Sequence, residues 1–327
     1  MKKEVSIEII KKCPNACLHC SSSSEKTANE VIPFAILSVL LDGLRKIGVS
    51  RVCLSGGEPF LHPELSQVIN YTASIGVEVN IYTCGIRLTD DECQPISVET
   101  FDKYRRNGLN RVMFNLQSVS EDNYNKITNT EGHYQVVLQS IRNAIIAKIP
   151  VEVHFVPMKI NKKDIKDIIA FCENESIELV SFLKLVPHGR ARENIETILL
   201  TKEDDAEVQQ ELYSIKSKGA KIRIGMPFSK NNGSTKCNAT DGKLYIKYDG
   251  CVFGCEAFKY INYEEEDSLV LPDSIYEKRI DEIVKTSTHL RKSRDLVNEY
   301  STVKIGCENC PVQKYLKTME VQNELHD

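Results

Sequence analysis

The sequence lacks an excess of basic residues, a long apolar run and a secretory signal. Its 42 lysines and arginines stand against 46 aspartates and glutamates, which gives a net charge of −4 over 327 residues. This balance excludes the cationic surface that is typical of proteins that bind nucleic acid or anionic membranes. No apolar run approaches the ~18 residues of a membrane span, and MKKEVSIEII indicates a first strand instead of a signal peptide. We expect a cytoplasmic protein with no nucleic-acid or membrane partner.

Cysteine, by contrast, is abundant, with twelve residues in a chain that carries no signal sequence. A reducing cytosol favours metal ligation over disulfides in such a chain. Three cysteines lie in KKCPNACLHCSSSS, and five more lie between residues 237 and 310. The isolated ones are Cys53, Cys84, Cys93 and Cys172.

Short apolar strands alternate with amphipathic helices from residue 3 to about 226. Six strand–helix units in tandem predict a parallel sheet with right-handed crossovers. Because six units are too few for a closed eightfold barrel, we expect an α/β fold, a partial (β/α)6 barrel over residues 1–226. Its chemistry is expected at the C-terminal ends of the strands. The predicted strands are 4–10, 50–55, 77–84, 111–117, 150–156 and 178–186.

These strands are apolar on one face and polar on the other. Since the helices need the apolar face, the polar face is expected to line an open lumen that holds a polar ligand. The alternative is an antiparallel sheet with one wet face, which the intervening helices disfavour. The polar set is Ser6, Glu8, Tyr82, Cys84, Asn115, Gln117 and His154.

The character of the sequence changes after residue 226. The segment FSKNNGSTKCNATDG is rich in Asn, Ser and Gly and indicates a linker with turns. A hairpin over 243–253, a helix near 276–297 and a last cysteine pair are predicted beyond it. We therefore expect a small C-terminal cluster-binding domain over residues 227–327.

The first cysteine group lacks a fourth ligand. A structural zinc site closes four ligands around its metal, and His19 lies inside the motif, between Cys17 and Cys20, where a fourth bond would be strained. Three thiolates suit a [4Fe–4S] cluster whose fourth iron stays open to an exogenous ligand. The alternatives are zinc or unliganded surface cysteines.

Two motifs resemble the radical S-adenosylmethionine (radical SAM) superfamily. Cys-x3-Cys-x2-Cys follows the first predicted strand, and LSGGEP, residues 54–59, follows the second, where that family carries Gly-Gly-Glu. The resemblance implies that Cys13, Cys17 and Cys20 hold a [4Fe–4S] cluster whose open iron binds SAM. It also implies that an electron, from a donor such as flavodoxin or ferredoxin, cleaves SAM to a 5′-deoxyadenosyl radical, which abstracts hydrogen from the substrate.

The same resemblance assigns residues to the cofactor. The turn Gly56-Gly57-Glu58 is expected to bind the amino group of SAM, with the Glu58 carboxylate accepting from the ammonium. His19 is expected next to the adenine. For Arg190, in LVPHGRA, the expectation is a place near the cofactor, with a surface salt bridge as the alternative. Looser matches near the ribose are Asn115, Gln117 and Ser118.

The second cysteine group resembles the shortened C-terminal domain of the superfamily, called twitch, whose longer version is SPASM. This resemblance implies an auxiliary [4Fe–4S] cluster, with Cys251 as a substitute for Cys255. Zinc is the alternative, because four thiolates serve either metal. The implied ligands are Cys237, Cys255, Cys307 and Cys310.

Cys84 ends the third predicted strand on the polar face. A thiol there is expected either to donate a hydrogen atom to a substrate radical or simply to fill space. Cys53 and Cys172 are expected in the core, and Cys93 is expected to be incidental.

The leading hypothesis is a radical SAM enzyme that modifies a ribosomally made peptide. Since twelve residues precede Cys13, no fused leader-recognition domain is expected, and a separate leader-peptide-binding protein would serve instead. The second hypothesis is dehydrogenation or rearrangement of a small molecule such as a sugar or nucleotide. The third is a non-catalytic iron–sulfur redox sensor, which the Gly-Gly-Glu turn disfavours.

Overall fold

The computed structural model of the protein describes residues 3–228, 237–265, 268–302 and 310–324. The strands are β1 (Lys3–Ile10), β2 (Val49–Gly56), β3 (Glu78–Thr83), β4 (Ile86–Thr89), β5 (Glu92–Pro95), β6 (Leu109–Asn115), β7 (Val151–Phe155), β8 (Leu179–Phe182), β9 (Lys221–Ile224), β10 (Lys243–Ile246), β11 (Val252–Phe253), β12 (Tyr263–Glu265) and β13 (Ser268–Val270). The helices are α1 (Phe34–Lys46), α2 (Leu65–Ser74), α3 (Val98–Arg106), α4 (Glu121–Thr128), α5 (His133–Ile146), α6 (Ile165–Asn174), α7 (Arg190–Glu193), α8 (Ile195–Ile198), α9 (Lys202–Ser214), α10 (Ile280–Thr286), α11 (Thr288–Tyr300) and α12 (Pro311–Glu324).

One nine-stranded sheet organises the molecule, in the order β11-β10-β1-β2-β3-β6-β7-β8-β9. All neighbouring pairs from β10 to β9 are parallel, and β11 alone runs antiparallel. Within the described residues the two edges do not pair, so the barrel is open, and the predicted α/β partial barrel is confirmed. The structure adds β9, which the sequence analysis missed because its four residues alternate between exposed and half-buried positions.

The helices cover one face of the sheet through the apolar stripes that the sequence predicts. Leu37, Leu40, Leu41 and Leu44 are buried along α1. Equivalent stripes are buried along α5 and α6. They meet the apolar strand face, so the main core lies between sheet and helices. Within the described ranges, no helix is both long and apolar enough to cross a bilayer.

The opposite face is polar and mostly buried, as predicted. Ser6 pairs in register with Cys53, Cys53 with Asn80, and Asn80 with Arg111. Glu8 and His154 share this face and are 1% and 2% exposed. The parallel register excludes the antiparallel alternative, and this face is called the lumen below.

The C-terminal segment completes the sheet instead of standing apart from it. The predicted hairpin forms as β10 and β11, and β10 lies beside β1 with Glu4 opposite Lys243. The division at residues 226 and 227 stays a prediction. The helix expected near 276–297 is two helices, because the backbone turns at Ser287, whose side chain accepts from the Leu290 amide and caps α11.

Candidate active site

The first cysteine loop follows β1, and its three thiols lie within electrostatic reach of one another. Cys13 is buried, and Cys17 and Cys20 are partly buried; none forms a disulfide. Burial raises the pKa of Cys17 well above its usual value, and the neighbouring Cys13 and Cys20 raise it further. Bound iron would relieve that mutual repulsion of thiolates, so the donor set fits a metal cluster.

In the described part of the chain, no three His, Cys, Asp or Glu side chains are arranged to hold a single metal ion. A [4Fe–4S] cluster separates its thiolates more widely than one ion does, since each binds a different iron. The absence of a single-ion site among the described residues is therefore compatible with a cluster on these thiols.

The Gly-Gly-Glu turn is clamped onto this loop. The Gly57 amide donates to the Ile10 carbonyl at 2.6 Å, and the Glu58 amide donates to the Lys12 carbonyl at 2.8 Å. A Cβ on Gly57 would lie 2.0 Å from the Lys12 oxygen, and one on Gly56 would lie 2.1 Å from the Ile10 oxygen. Because the glycines have no side chain, they leave room for the backbone of the chain's own cysteine loop. The binding of the SAM amino group by this turn stays a prediction.

The Glu58 carboxylate points into the protein. It accepts from the Thr83 hydroxyl at 2.8 Å, the Cys84 amide at 2.7 Å and the Phe60 amide at 3.0 Å. Burial raises its pKa, although these hydrogen bonds oppose the rise. The structure therefore ties Glu58 to the turn after β3, and its expected contact with the SAM ammonium stays a prediction.

Arg190 lies against the first cysteine loop, and its expected place near the cofactor stays a prediction. Its guanidinium donates to the carbonyls of Cys17 at 3.0 Å and Ser24 at 2.6 Å, and its amide donates to the Ser23 hydroxyl at 3.0 Å. Gly189, with φ of +54°, lets the turn approach, because a Cβ would lie 2.7 Å from the Ser23 oxygen. Arg190 is therefore a clamp on the cysteine loop, not a surface salt bridge.

His19 lies within electrostatic reach of Arg190. Burial lowers its pKa to about 4, and the positive charge of Arg190 contributes to the shift. Its Nδ1 is buried without a hydrogen-bond partner. An orphaned ring nitrogen beside the cysteines fits a polar group of a bound cofactor.

Of the three residues expected near the ribose, two are engaged inside the protein. Gln117 accepts from the Val156 amide at 2.7 Å, and Ser118 donates to Asp164 at 2.5 Å. Both are at most 1% exposed, and their expected contact with the cofactor stays a prediction. Asn115, at the end of β6, is exposed and stays available.

Cys84 also differs from its expected orientation. It packs with Cys13 and Ile86 and is 8% exposed. Burial raises the pKa of its thiol well above the usual value, and a hydrogen bond with Cys13 adds to the rise. Cys84 thus faces the first cysteine loop, and Tyr82 is the residue that faces the lumen, 5.1 Å from the His154 ring.

The second cysteine group is brought together in part. Cys237, Cys255 and Cys310 belong to one apolar cluster. Burial raises the pKa of Cys255 well above its usual value, and the charges of Glu256, Cys310 and Cys237 add to the rise. Cys251 packs against the same cluster and lies beside Asp249, so the alternative of Cys251 in place of Cys255 stays open. Cys307 lies outside the described residues.

A polar network in the lumen was missed by the sequence analysis. Glu152 accepts from His154 at 2.8 Å, Ser181 at 2.5 Å and Arg223 at 3.1 Å. Burial alone raises the pKa of Glu152, but these partners bring it down to about 2. The signal was available, because Glu152 precedes His154 by two residues and therefore shares its face.

Comparison with known proteins places the chain in a family. Residues 7–172, about half of the sequence, match the model of the radical SAM superfamily. The chain belongs to the radical SAM superfamily.

Among curated proteins, this radical SAM chain is 28% identical to a probable GTP 3′,8-cyclase of Methanocaldococcus jannaschii over 189 residues, which cover 56% of the chain and 60% of that relative. A probable GTP 3′,8-cyclase of Saccharolobus solfataricus is 26% identical, with 57% and 58% covered. The chain thus spans less than two thirds of these relatives.

Solved structures share the fold of this radical SAM chain at low identity. Streptococcus suis SuiB bound to S-adenosylmethionine superposes with a TM-score of 0.69 at 14% identity, covering 90% of this chain and 68% of SuiB. SuiB bound to its precursor peptide SuiA gives 0.71 at 14% identity, with 90% and 67% covered. The structure of anSMEcpe with bound AdoMet gives 0.64 at 13% identity, with 94% and 88% covered. These identities establish the fold alone.

Proposed function

We propose that this radical SAM enzyme modifies a peptide held in the lumen, between the polar sheet face and the segment that carries Cys255. When bound, a [4Fe–4S] cluster with SAM supplies hydrogen-atom abstraction, and a second cluster supplies an electron acceptor. Cys13, Cys17 and Cys20 hold the first cluster in this proposal. An electron donor such as flavodoxin or ferredoxin and a cytoplasmic location belong to the same proposal.

The charge balance of the lumen carries the choice of substrate. Arg51 pairs with Glu4 at 3.3 Å and with Glu78 at 2.9 Å. Arg223 pairs with Glu152 at 3.1 Å. A nucleoside triphosphate needs cations that are not already neutralised, whereas an uncharged peptide backbone needs polar partners of both kinds. The lumen supports the second kind of ligand.

The position of the second cysteine group supports an electron acceptor next to the substrate. Burial raises the pKa of Tyr82 well above its usual value, and the charge of Glu256, which follows Cys255, adds to it. Glu256 therefore lies within electrostatic reach of the lumen. A cluster on Cys237, Cys255, Cys307 and Cys310 would be near the same space.

The second candidate is a nucleotide reaction, which the names of the curated relatives favour. Its physical requirement is a set of cations free to bind phosphate. The paired arginines of the lumen are the observation against it.

The test is anaerobic reconstitution followed by substrate screening. Two clusters give about eight iron atoms per chain, and the reduced protein is expected to release 5′-deoxyadenosine slowly from SAM without substrate. A synthetic peptide library is expected to contain members that accelerate this release and change in mass. GTP is the matched small-molecule arm. Acceleration by GTP with its consumption, and none by any peptide, would contradict the peptide proposal.

A further inference from the structure

A buried ion pair joins the two halves of the sequence. The Lys259 ammonium lies 2.9 Å from the Glu8 carboxylate, and the two side chains are 1% and 2% exposed. Burial alone raises the pKa of Glu8, but Lys259 and Ser22 bring it below its usual value. Removing two charges from water is unfavourable unless further hydrogen bonds satisfy them, so the other partners of the pair matter.

Those partners lie on the first cysteine loop. The Lys259 ammonium donates to the Ser22 hydroxyl at 2.7 Å and to the Ser21 hydroxyl at 3.2 Å. The Ser22 hydroxyl in turn donates to Glu8. Ser21 and Ser22 directly follow Cys20, so the ammonium fixes the end of the loop that carries the first cysteine group.

Lys259 also lies close in sequence to the second cysteine group. Lys259 follows the turn Glu256–Phe258, which begins immediately after Cys255. The lysine is held over the Tyr245 ring at 4.5 Å, and the same turn accepts a hydrogen bond from His188 at the Ala257 carbonyl, 2.9 Å away. The ammonium therefore stands at the junction between the two cysteine groups.

We propose that Lys259 is a positioning residue, whose ammonium group sets both the placement and the reduction potential of the first cluster from the segment that carries Cys255. The inference rests on the proposed function, because it requires that Cys13, Cys17 and Cys20 hold a cluster. Reduction adds negative charge to a cluster, so a buried cation nearby raises its potential and a buried anion lowers it. Glu8 and Lys259 oppose each other in this effect.

The potential distinguishes this role from a merely structural one. Lys259→Met leaves the Glu8 charge unopposed and is expected to lower the potential of the first cluster. Glu8→Gln leaves the ammonium unopposed and is expected to raise it. The double variant restores neutrality and is expected to return close to the wild-type potential, and Lys259→Arg keeps the charge. The measurement is a reductive titration followed by electron paramagnetic resonance, in which a spectral change on adding SAM marks the first cluster.

A second arm tests placement without changing any charge. Ser22→Ala removes the shorter of the two hydrogen bonds from the ammonium to the loop, and with it the bond from Ser22 to Glu8. It is expected to weaken SAM binding to the unreduced protein about tenfold. Ser24→Ala is the matched control, because the Ser24 hydroxyl has no hydrogen-bond partner. This arm remains decisive if a single charge variant fails to fold. Equilibrium dialysis with labelled SAM provides the affinities.

The outcomes separate the inference from the proposed function. A wild type that binds no iron contradicts the proposed function itself. A wild type that holds its clusters, with Lys259→Met and Glu8→Gln shifting the potential in the same direction or not at all, overturns the electrostatic role. Equal SAM affinities for Ser22→Ala and Ser24→Ala overturn the positioning role. The substitution Lys162→Met, in an ion pair with Asp204 on another surface, is expected to leave the potential unchanged.

Discussion

The loop with Cys13, Cys17 and Cys20 is held by hydrogen bonds and close backbone contacts, whereas Cys237, Cys255 and Cys310 are held by apolar packing. Gly57 and Arg190 grip the first loop through its carbonyls. The second group lies among side chains such as Phe253 and Phe258. Directional contacts fix the backbone of the first loop, whereas apolar packing tolerates adjustment. The difference suits the proposed roles, in which the first group presents an open iron to SAM and the second group holds an electron-accepting cluster.

The largest expected effect comes from removing each set of ligands. Replacing Cys13, Cys17 and Cys20 together by Ala should remove about four of about eight iron atoms and abolish 5′-deoxyadenosine release. Replacing Cys237, Cys255 and Cys310 should remove a similar amount of iron but leave that release without substrate intact. Iron analysis and chromatography measure both. If both triple variants lose 5′-deoxyadenosine release, the two cysteine groups do not have the separate functions proposed here.

Gly57→Ala tests the close backbone contact directly. Its Cβ would lie 2.0 Å from the Lys12 oxygen, and both backbones must then shift. We expect a loss of stability of ~3 kcal/mol or more, together with loss of iron from the first group only. Gly219→Ala is the control, because its Cβ would meet nothing closer than the Glu173 Cγ at 3.7 Å. If calorimetry finds the two variants equally stable, the close backbone contact at Gly57 does not hold the first loop, and this part of the comparison is wrong.

Arg190→Ala is expected to have a smaller effect. Two carbonyls of the cysteine loop lose a charged donor, which corresponds to ~2 kcal/mol of unfolding free energy. Arg190→Lys should recover only part of this, since an ammonium lacks the planar fork that spans Cys17 and Ser24. The exposed Arg105, paired with Asp102, supplies the control Arg105→Ala with a change below ~1 kcal/mol. Urea unfolding curves give the free energies of unfolding. Full recovery of stability in Arg190→Lys would contradict the role of the planar guanidinium.

The smallest effect concerns the lumen and its dependence on pH. Glu152 has its pKa lowered from 4.5 to about 2. A depressed carboxyl pKa contributes stability that is fully present above 4.5 and is lost as pH falls towards 2. Glu152→Gln should therefore lower stability at pH 7 and flatten the acid-unfolding profile in that window. Thermal melts from pH 7 to pH 2 measure it, and parallel profiles for the two proteins would contradict the assignment.

Structural features that depend on neighbouring residues are predicted well from the sequence. The spacing of the cysteines and the Gly-Gly-Glu turn place both after neighbouring parallel strands, and strand alternation predicts a polar lumen that contains His154. These signals work because each depends on residues within a few positions of one another. The open α/β barrel follows from the same local patterns repeated along the chain.

Long-range contacts account for most of what sequence reasoning missed. Arg190 reaches Cys17 across 173 residues, and Lys259 reaches Glu8 across 251. The internal partners of Glu58 and Ser118, namely Thr83 with the Cys84 amide and Asp164, are also distant in the sequence. Nothing in the local pattern reports which partner a polar side chain meets.

The parallel pairing of β1 with β10 has a consequence for how the protein is made. β1 begins at Lys3, and its outer neighbour begins at Lys243, so one edge of the first strand stays unpaired while the intervening chain is synthesised. At typical translation rates this takes about ten to fifty seconds. The cysteine loop after β1 likewise waits for Arg190 and then Lys259. The contacts that hold the cysteine loop are therefore completed only after Lys259 has been synthesised, well after the loop itself.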